Sequence, residues 1–577
     1  MREDVTSRFA EPNPGELTRS QSVLCALVAD VLRVSDVGIG DGFVALGGDS
    51  IIAMQLVSRA RKAGLRITVG DVLRHRDIGA LAATATTVDT APAEDNGVGP
   101  IVATPVMHWL AERGGPVDTY NQFAVLRTPS TLTEARLTLM VQALLDRHDI
   151  LRLRLTGTPW ALETLPVGAV TAAVRRIDVA GRPEEDLATL VRQESDEARD
   201  RLRPREGNVV QAVWFDAGPA RQGMLALVVH HLAIDAMSWR VLISDLETAG
   251  RELDPVPTSF RRWSETLNAQ ASAKATLAEL PGWLERLRPG AARIGAVDSV
   301  PGRDRESRDR CFTLSLPGEF TEPLLTTVPA LFNAEINDVL LAGLALAMAD
   351  WHRRRGTAGD GTVLLNLEGH GRESALADVD LSRTVGWFTS LFPVRLDPGE
   401  PDWAEIRSAG PTVGDVVKRV KEQLRAIPDK GVRYGLLRYL NPETAPLLEK
   451  AARPEFCFNY LGRHRAADYA DWAVMPEYGT GMDDTGSGMP MAHGIEVNAA
   501  TVDREDGPVL RATWTWAGSM VSEVDTRELA ESWFTMLRTL VAHARQPWAG
   551  GLTPSDLTLS SLGQNELEEI ESELRAF

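Results

Sequence analysis

The sequence predicts a small all-helical bundle followed by a larger α/β body of two lobes. Apolar residues recur at helical spacing between Leu17 and Thr86, as in Leu24, Leu27, Val28, Val31 and Leu32. Residues 87–100 then lose all periodicity and are rich in Ala, Pro, Gly, Asp and Thr, the composition of a linker. From Pro105 onward, apolar strand-like runs alternate with amphipathic helical stretches, the pattern of an α/β body.

Residues 1–16 are polar, carry Pro12 and Pro14, and read as a tether left from a preceding segment. Helices are expected over 17–34, 51–63 and 77–86, the loop before the second ending in Leu46-Gly47-Gly48-Asp49-Ser50. In the α/β body, 131–148 reads as a helix, 150–155 as a strand and 182–203 as a charged helix. Residues 209–215 and 224–229 read as a hairpin around Asp216-Ala-Gly-Pro. The Gly-, Pro- and Arg-rich stretch 290–308 is the expected crossing between an N-lobe, about 101–289, and a C-lobe, about 305–577. In the C-lobe a strand is expected near Phe312, a long helix over 335–351 and strands over 362–367, 392–396 and 455–460. A hairpin joins 495–502 to 509–516 through Arg504-Glu-Asp-Gly507.

Composition narrows the function. At 577 residues and 44% hydrophobic, the chain has material for three or four domain-sized units with large cores. Cys25, Cys311 and Cys457 lie far apart and form neither a disulfide framework nor a metal-ligand cluster, which suits a reducing cytoplasm. A formal charge of −19 argues against nucleic acid as a partner. No apolar run is long enough to span a bilayer, and the N-terminus has no signal region. The expectation is a cytoplasmic monomer without metal.

Two stretches carry chemistry. His230-His231-Leu-Ala-Ile-Asp235-Ala236-Met-Ser238-Trp239 lies between an apolar strand and an amphipathic helix, where a rigid scaffold presents reactive groups. Ser50 stands at the start of the second helix, a position any N-cap serine favours. That position also suits a phosphate ester, since the free N–H groups and the helix dipole face it. The two glycines before it permit a tight turn and close approach of another protein's backbone.

Residues 17–86, with Leu46-Gly-Gly-Asp-Ser-Ile51, resemble the peptidyl carrier domains of nonribosomal peptide synthetases, small four-helix bundles. The resemblance implies 4′-phosphopantetheine on Ser50, with Asp49 in the form often seen ahead of an epimerization domain. From Pro105 to about Glu571 the chain resembles those epimerization domains, condensation-domain relatives with a two-lobed α/β fold like that of chloramphenicol acetyltransferase. The carrying motifs are Arg147-His-Asp-Ile-Leu-Arg152, the His230-His231 stretch, Glu335-Ile-Asn-Asp338 and Glu368-Gly-His-Gly-Arg-Glu373. Arg383-Thr-Val-Gly-Trp-Phe-Thr389, Tyr434-Gly-Leu-Leu-Arg-Tyr439 and Phe458-Asn-Tyr-Leu-Gly462 complete them.

The resemblance implies L-to-D epimerization of an aminoacyl or peptidyl thioester. Such a reaction needs proton-transfer groups on opposite faces of a planar enolate, and a protic or positive group near its oxygen. His231 and Glu368 are the expected pair, in an order the sequence leaves open. His230 is expected to orient the loop, Asp235 by the resemblance to hold an arginine and shape that loop, and Ser238 and Trp239 to cap and seat the following helix. Arg372 is expected to neutralise Glu368 or face the oxyanion, and Asn459 and Tyr460 to bond the thioester oxygen or the loops. Ala236 replaces the family's usual glycine, with either a strained left-handed backbone or a narrower tunnel as the consequence. Implied partners are an upstream adenylation domain, a downstream condensation domain taking the D-configured donor, and a phosphopantetheinyl transferase. A condensation enzyme using His231 as base and an inactive docking domain of the same fold are the competing readings.

Overall fold

The computed structural model describes residues 17–570 except 33, 44, 49, 88–94, 158–159, 249–252, 296–303, 306–309, 358, 373–375, 377–378, 466–469, 479–487, 505, 558–562, 565 and 568. The expected tether, Asp49, Glu373, half of the linker and most of the expected crossing therefore lie outside the described residues. The chain divides into two compact units, the first built on residues up to Asp95 and the second from Asn96 onward.

The first unit packs helices α1 (Arg19–Leu32), α2 (Ser50–Lys62), α3 (Val69–Arg74) and α4 (Ile78–Thr84). Leu24 and Val28 of α1 meet Phe43, Leu56, Ile78 and Leu81 in one core, which is why the apolar positions recur at helical spacing. The short α3 was not foreseen. Thr68 starts it with a reciprocal capping box to Asp71, and Asp77 caps α4 through the Ala80 N–H. Strands β1 (Leu65–Arg66) and β2 (Thr86–Thr87) pair antiparallel, so Thr87 belongs to this unit's edge.

The second unit opens with β3 (Gly99–Ile101), so the end of the expected linker is already a strand, and then α5 (Pro105–Arg113). Its N-lobe continues with β4 (Asn121–Thr128), α6 (Glu134–Arg147), β5 (Leu153–Thr156), β6 (Ala161–Thr164), β7 (Val174–Asp178) and α7 (Glu184–Asp200). Then come β8 (Val210–Asp216), β9 (Gly223–His230), α8 (Ala236–Thr248) and α9 (Phe260–Gln270). The strands form sheets of order β3-β6-β5 and β4-β9-β8-β7. All eight residues of β9 are buried, since β4 and β8 flank it and α7 packs Leu187 and Val191 on its Ala226 and Val228. The strand expected over 150–155 is displaced. Residues Asp149–Arg152 form a 3₁₀ turn, because the fully buried Arg152 guanidinium reaches back to the carbonyls of Asp146 (3.0 Å) and Leu165 (2.9 Å).

The C-lobe is one sheet of six strands: β10 (Cys311–Leu316), β11 (Val363–Gly369), β12 (Ser390–Leu396), β13 (Phe456–Arg465), β14 (Ile495–Arg504) and β15 (Gly507–Trp516). Their order is β10-β15-β14-β13-β11-β12, with β11, β13 and β14 running parallel at the centre. Alternation assigns its faces. Leu365, Phe456, Phe458, Ile495, Val497 and Trp514 share a core with the helices Ile336–Arg355 and Glu523–Ala544. The intervening residues Asn366, Glu368, Cys457, Asn459, Glu496 and Asn498 form the opposite, polar face. The backbone of residues 472–475 returns to the N-lobe. Arg127 N–H donates to Ala473 O (2.9 Å) and Met475 N–H to Val125 O (2.8 Å), tying the lobes along the outer edge of β4. Among the described residues, no single helix is long and apolar enough to cross a membrane.

Candidate active site

Ser50 is the first residue of the 13-residue α2, and its side chain lies outside the described residues. The loop before it is pinned. Gly47 takes φ +93°, and a Cβ on Gly48 would stand 2.3 Å from the Phe43 ring. The first-turn N–H groups of a helix have no partner within the helix, so the start of α2 suits a phosphodiester.

In the second unit, β9 ends at His230 and the chain turns through a 3₁₀ segment, His231–Ala233, before α8 begins at Ala236. His230 is completely buried. Its Nε2 lies 2.8 Å from Val117 O and its Nδ1 accepts the Leu232 N–H at 3.2 Å, so it is a neutral Nε2–H tautomer. Burial pushes its pKa down to about 4. Both ring nitrogens are committed to shaping the loop.

Asp235, not Ser238, caps α8, accepting the Ser238 N–H at 2.8 Å. Asp235 also accepts Arg372 Nη2 at 3.2 Å and the Phe388 N–H at 3.0 Å. Ser238 lies inside the first turn. Its Oγ accepts from Arg372 Nη2 and Gly386 N–H, both at 3.0 Å, and its single proton serves Asp235 Oδ1 (2.8 Å) or Gly386 O (2.9 Å). Arg372 is 5% exposed and its guanidinium lies 3.8 Å from the centre of the Phe388 ring. It therefore does not neutralise Glu368, as expected from the motif, but joins β9's loop to the C-lobe. Gly371 makes this approach possible, since at φ +66° a Cβ would fall 1.6 Å from Phe388 O. His370 Nδ1 accepts the Arg372 N–H at 3.1 Å within the same turn. His148 lends further support to α8, its Nε2 lying 2.8 Å from the buried Asp245 carboxylate. Ala236 is a half-buried helical residue and does not take a positive φ, so the strained backbone expected for it is absent.

His231, 8% exposed, stacks on Tyr120 with centroids 4.9 Å apart and leans on Trp387 at 4.3 Å. Its protonation follows from a chain the sequence did not reveal. The Trp239 indole N–H, a donor only, bonds Gln122 Oε1 at 3.0 Å. That orients the Gln122 amide so that its Nε2 faces His231 Nε2 at 3.1 Å. His231 Nε2 must accept, which leaves the imidazole proton on Nδ1. Burial lowers its pKa to about 4, against the backbone carbonyls and the Asp235 charge that favour protonation. Trp239→Phe is expected to free the amide to turn its oxygen toward His231. The imidazole proton would move to Nε2, visible in the ¹⁵N shifts of His231, and any reaction using Nε2 as base would slow about tenfold, the worth of one buried hydrogen bond.

Glu368 is a strand residue of β11, which runs two residues beyond the expected strand end, and is not part of a turn. Its Oε2 accepts from Asn459 Nδ2 at 3.0 Å, and the same amide nitrogen reaches Asn498 Oδ1 at 3.2 Å. Glu368 is exposed on the polar face of the sheet, with many protein atoms around it. Enclosure and the nearby Glu496 charge push its pKa up to about 7, opposed by Arg113. Asn459 thus holds the carboxylate. Tyr460 turns to the apolar face, with its hydroxyl 2.9 Å from Thr501 Oγ1. Arg113, at the end of α5, was not foreseen. Its charge acts on His231, Glu368 and Glu496 alike. Arg113 is held by its Nε–H to Pro490 O and lies over the Trp109 ring at 5.3 Å.

Comparison with known proteins agrees with this geometry. Residues 110–556 match the condensation domain family and residues 22–85 the phosphopantetheine attachment site family. The chain is 36% identical over 96% of its length to a part of linear gramicidin synthase from Brevibacillus parabrevis. It is 30% identical over 96% of its length to surfactin synthase subunit 1 of Bacillus subtilis. It spans only 7% and 15% of those two polypeptides' lengths. The solved epimerization domain from the third module of tyrocidine synthetase B superposes with a TM-score of 0.66 at 27% identity, covering 78% of this chain and 99% of that one. Phosphopantetheine attachment and the two-lobed, chloramphenicol acetyltransferase-like architecture follow, and the chain belongs to the condensation-domain superfamily of nonribosomal peptide synthetases, with a carrier domain ahead of its condensation-type body.

Proposed function

We propose that the second unit interconverts the L and D configurations at the α-carbon of an aminoacyl or peptidyl group carried on Ser50. Glu368 carries this reading. Amide formation with His231 as base has no need of a carboxylate on the facing lobe, whereas inversion needs a second proton-transfer group on the opposite face of a planar carbon. The likeness to a solved epimerization domain supports it.

The phosphopantetheine of Ser50 supplies a thioester, whose sulfur donates weakly into the carbonyl and leaves the α-proton acidic. Neutral His231, whose Nε2 lone pair accepts from Gln122 and exchanges that bond for the α-proton, is the group that takes or returns a proton from the N-lobe. Glu368, titrating near neutral pH, does the same from the C-lobe. Arg113, whose charge acts on both, would favour negative charge on the thioester oxygen. Asp235 and Arg372 act at a distance by holding the His231 loop. In an assembly line of this kind the chain would receive its amino acid from an adenylation domain and pass the D-configured acyl group to a condensation domain. A phosphopantetheinyl transferase would first modify Ser50.

The test is to load pantetheinylated Ser50 with an L-aminoacyl group in deuterated water. A D/L mixture with deuterium at the α-carbon is expected, and Ser50→Ala protein should fail to load. Acyl transfer to an added amine-bearing carrier without α-exchange would replace this reading with condensation. Neither reaction would leave a docking domain.

A further inference from the structure

A second carboxylate stands on the same polar face as Glu368, and the proton transfers above do not use it. Asn366, Cys457 and Glu496 occupy one rung across β11, β13 and β14, and Asn459 pairs with Asn498 on the next. Glu368 lies two residues beyond Asn366 and so shares that face. The Cys457 thiol sits between the carboxylates, 4.0 Å from Glu368 Oε1, and burial, with both charges adding to it, pushes its pKa well up, so it stays neutral. Glu496 is fixed from behind. Its Oε1 lies 2.9 Å from His493 Nδ1, and His493 Nε2 lies 2.8 Å from Asn366 Nδ2. The His493 side chain is 4% exposed and that of Glu496 23%.

This arrangement keeps Glu496 ionised. Burial opposes its charge, but the His493 hydrogen bond and charge prevail and its pKa is lowered. The Asn366 amide presents a donor or an acceptor by turning over, so His493 keeps both bonds whether neutral or protonated. The groups facing Glu368 are then few. Cys457 and Asn459 of β13 are neutral, Leu391 opposite on β12 is apolar, Arg113 of α5 is positive and Glu496 of β14 is negative. The repulsion from Glu496 outweighs the attraction of Arg113.

We propose that Glu496, held by His493 and Asn366, is a positioning residue that sets the proton affinity of Glu368, keeping it able both to give and to take a proton near neutral pH. Its purpose rests on the epimerization reading, but the coupling between the carboxylates does not. Two like charges on one face of a sheet raise the proton affinity of the group that titrates second. Glu496 is already ionised when Glu368 titrates, so removing the Glu496 charge must lower the Glu368 midpoint.

The experiment uses the full chain labelled with ¹³C at glutamate carboxyls, the two signals being assigned by their loss in Glu368→Gln and Glu496→Gln proteins. Glu496→Gln is expected to lower the Glu368 midpoint by about one pH unit, with Glu496→Asp restoring most of it. Glu496→Asn, a second neutral replacement, is expected to lower the Glu368 midpoint likewise should Glu496→Gln fail to fold. In the loaded protein, the pH at which α-proton exchange declines on the alkaline side should move down with the Glu368 midpoint. A Glu368 midpoint unmoved in both Glu496→Gln and Glu496→Asn proteins overturns the proposal. If that midpoint moves but no α-proton exchanges in the unaltered protein, the coupling stands and the epimerization reading falls.

Discussion

Glu368→Gln protein is expected to interconvert L and D thioesters about 10²–10⁴-fold more slowly than the unaltered chain, in both directions. The amide oxygen can still accept from Asn459 Nδ2, so the fold is retained and the loss is one of proton transfer. The pH profile gives a sharper form of the same expectation. One direction needs neutral His231 with protonated Glu368, the other protonated His231 with ionised Glu368. Each of these states holds one proton in the pair, so their ratio does not change with pH. Glu368 loses its proton as pH rises through about 7, and His231 gains one as pH falls through about 4. Both rates should fall about tenfold per pH unit above about 7 and again below about 4, with an unchanged final D:L ratio. Chiral analysis of quenched thioesters across this range measures all of it. Wild-type rates in Glu368→Gln protein would remove the carboxylate from the mechanism.

Asp235→Ala is expected to destabilise the second unit by about 3–5 kcal/mol, the cost of leaving a buried charge without its partner. Arg372 would keep its place under Phe388 without a counterion, while α8 loses its cap and the Phe388 N–H its acceptor. Denaturant titration of the full chain should show a lower midpoint for the second transition, and α-proton exchange should fall as the His231 loop loosens. Asp235→Asn keeps the cap and isolates the charge. A midpoint unchanged in both variants would mean that the pair is not what holds the loop.

How much was legible depended on distance along the chain. The run Met224–Val229 announced β9, and the polar–apolar alternation of β14 and β15 announced their hairpin, because a strand half covered by helices writes its burial into the order of residues. Sequence motifs alone picked out Ser50, His231 and Glu368. They gave Asp235 an arginine to hold but left Arg372 to Glu368 or the oxyanion, because a motif does not say which carboxylate an arginine will meet. Its partner Asp235 lies 137 residues away, on the other lobe. Ser238 looked like a helix cap because serine favours that position, yet the loop geometry gave it to Asp235.

The sequence by itself determined the two-part architecture, the order of elements and the residue types available for proton transfer, since periodicity and composition are local. Only the tertiary structure decided the protonation of those residues. Gln122, 109 residues from His231, chooses its tautomer, and Glu496, on a strand two places over, raises the proton affinity of Glu368. Proton affinity is set by burial and by charges nearby in space, and neither quantity exists until the lobes and strands are brought together.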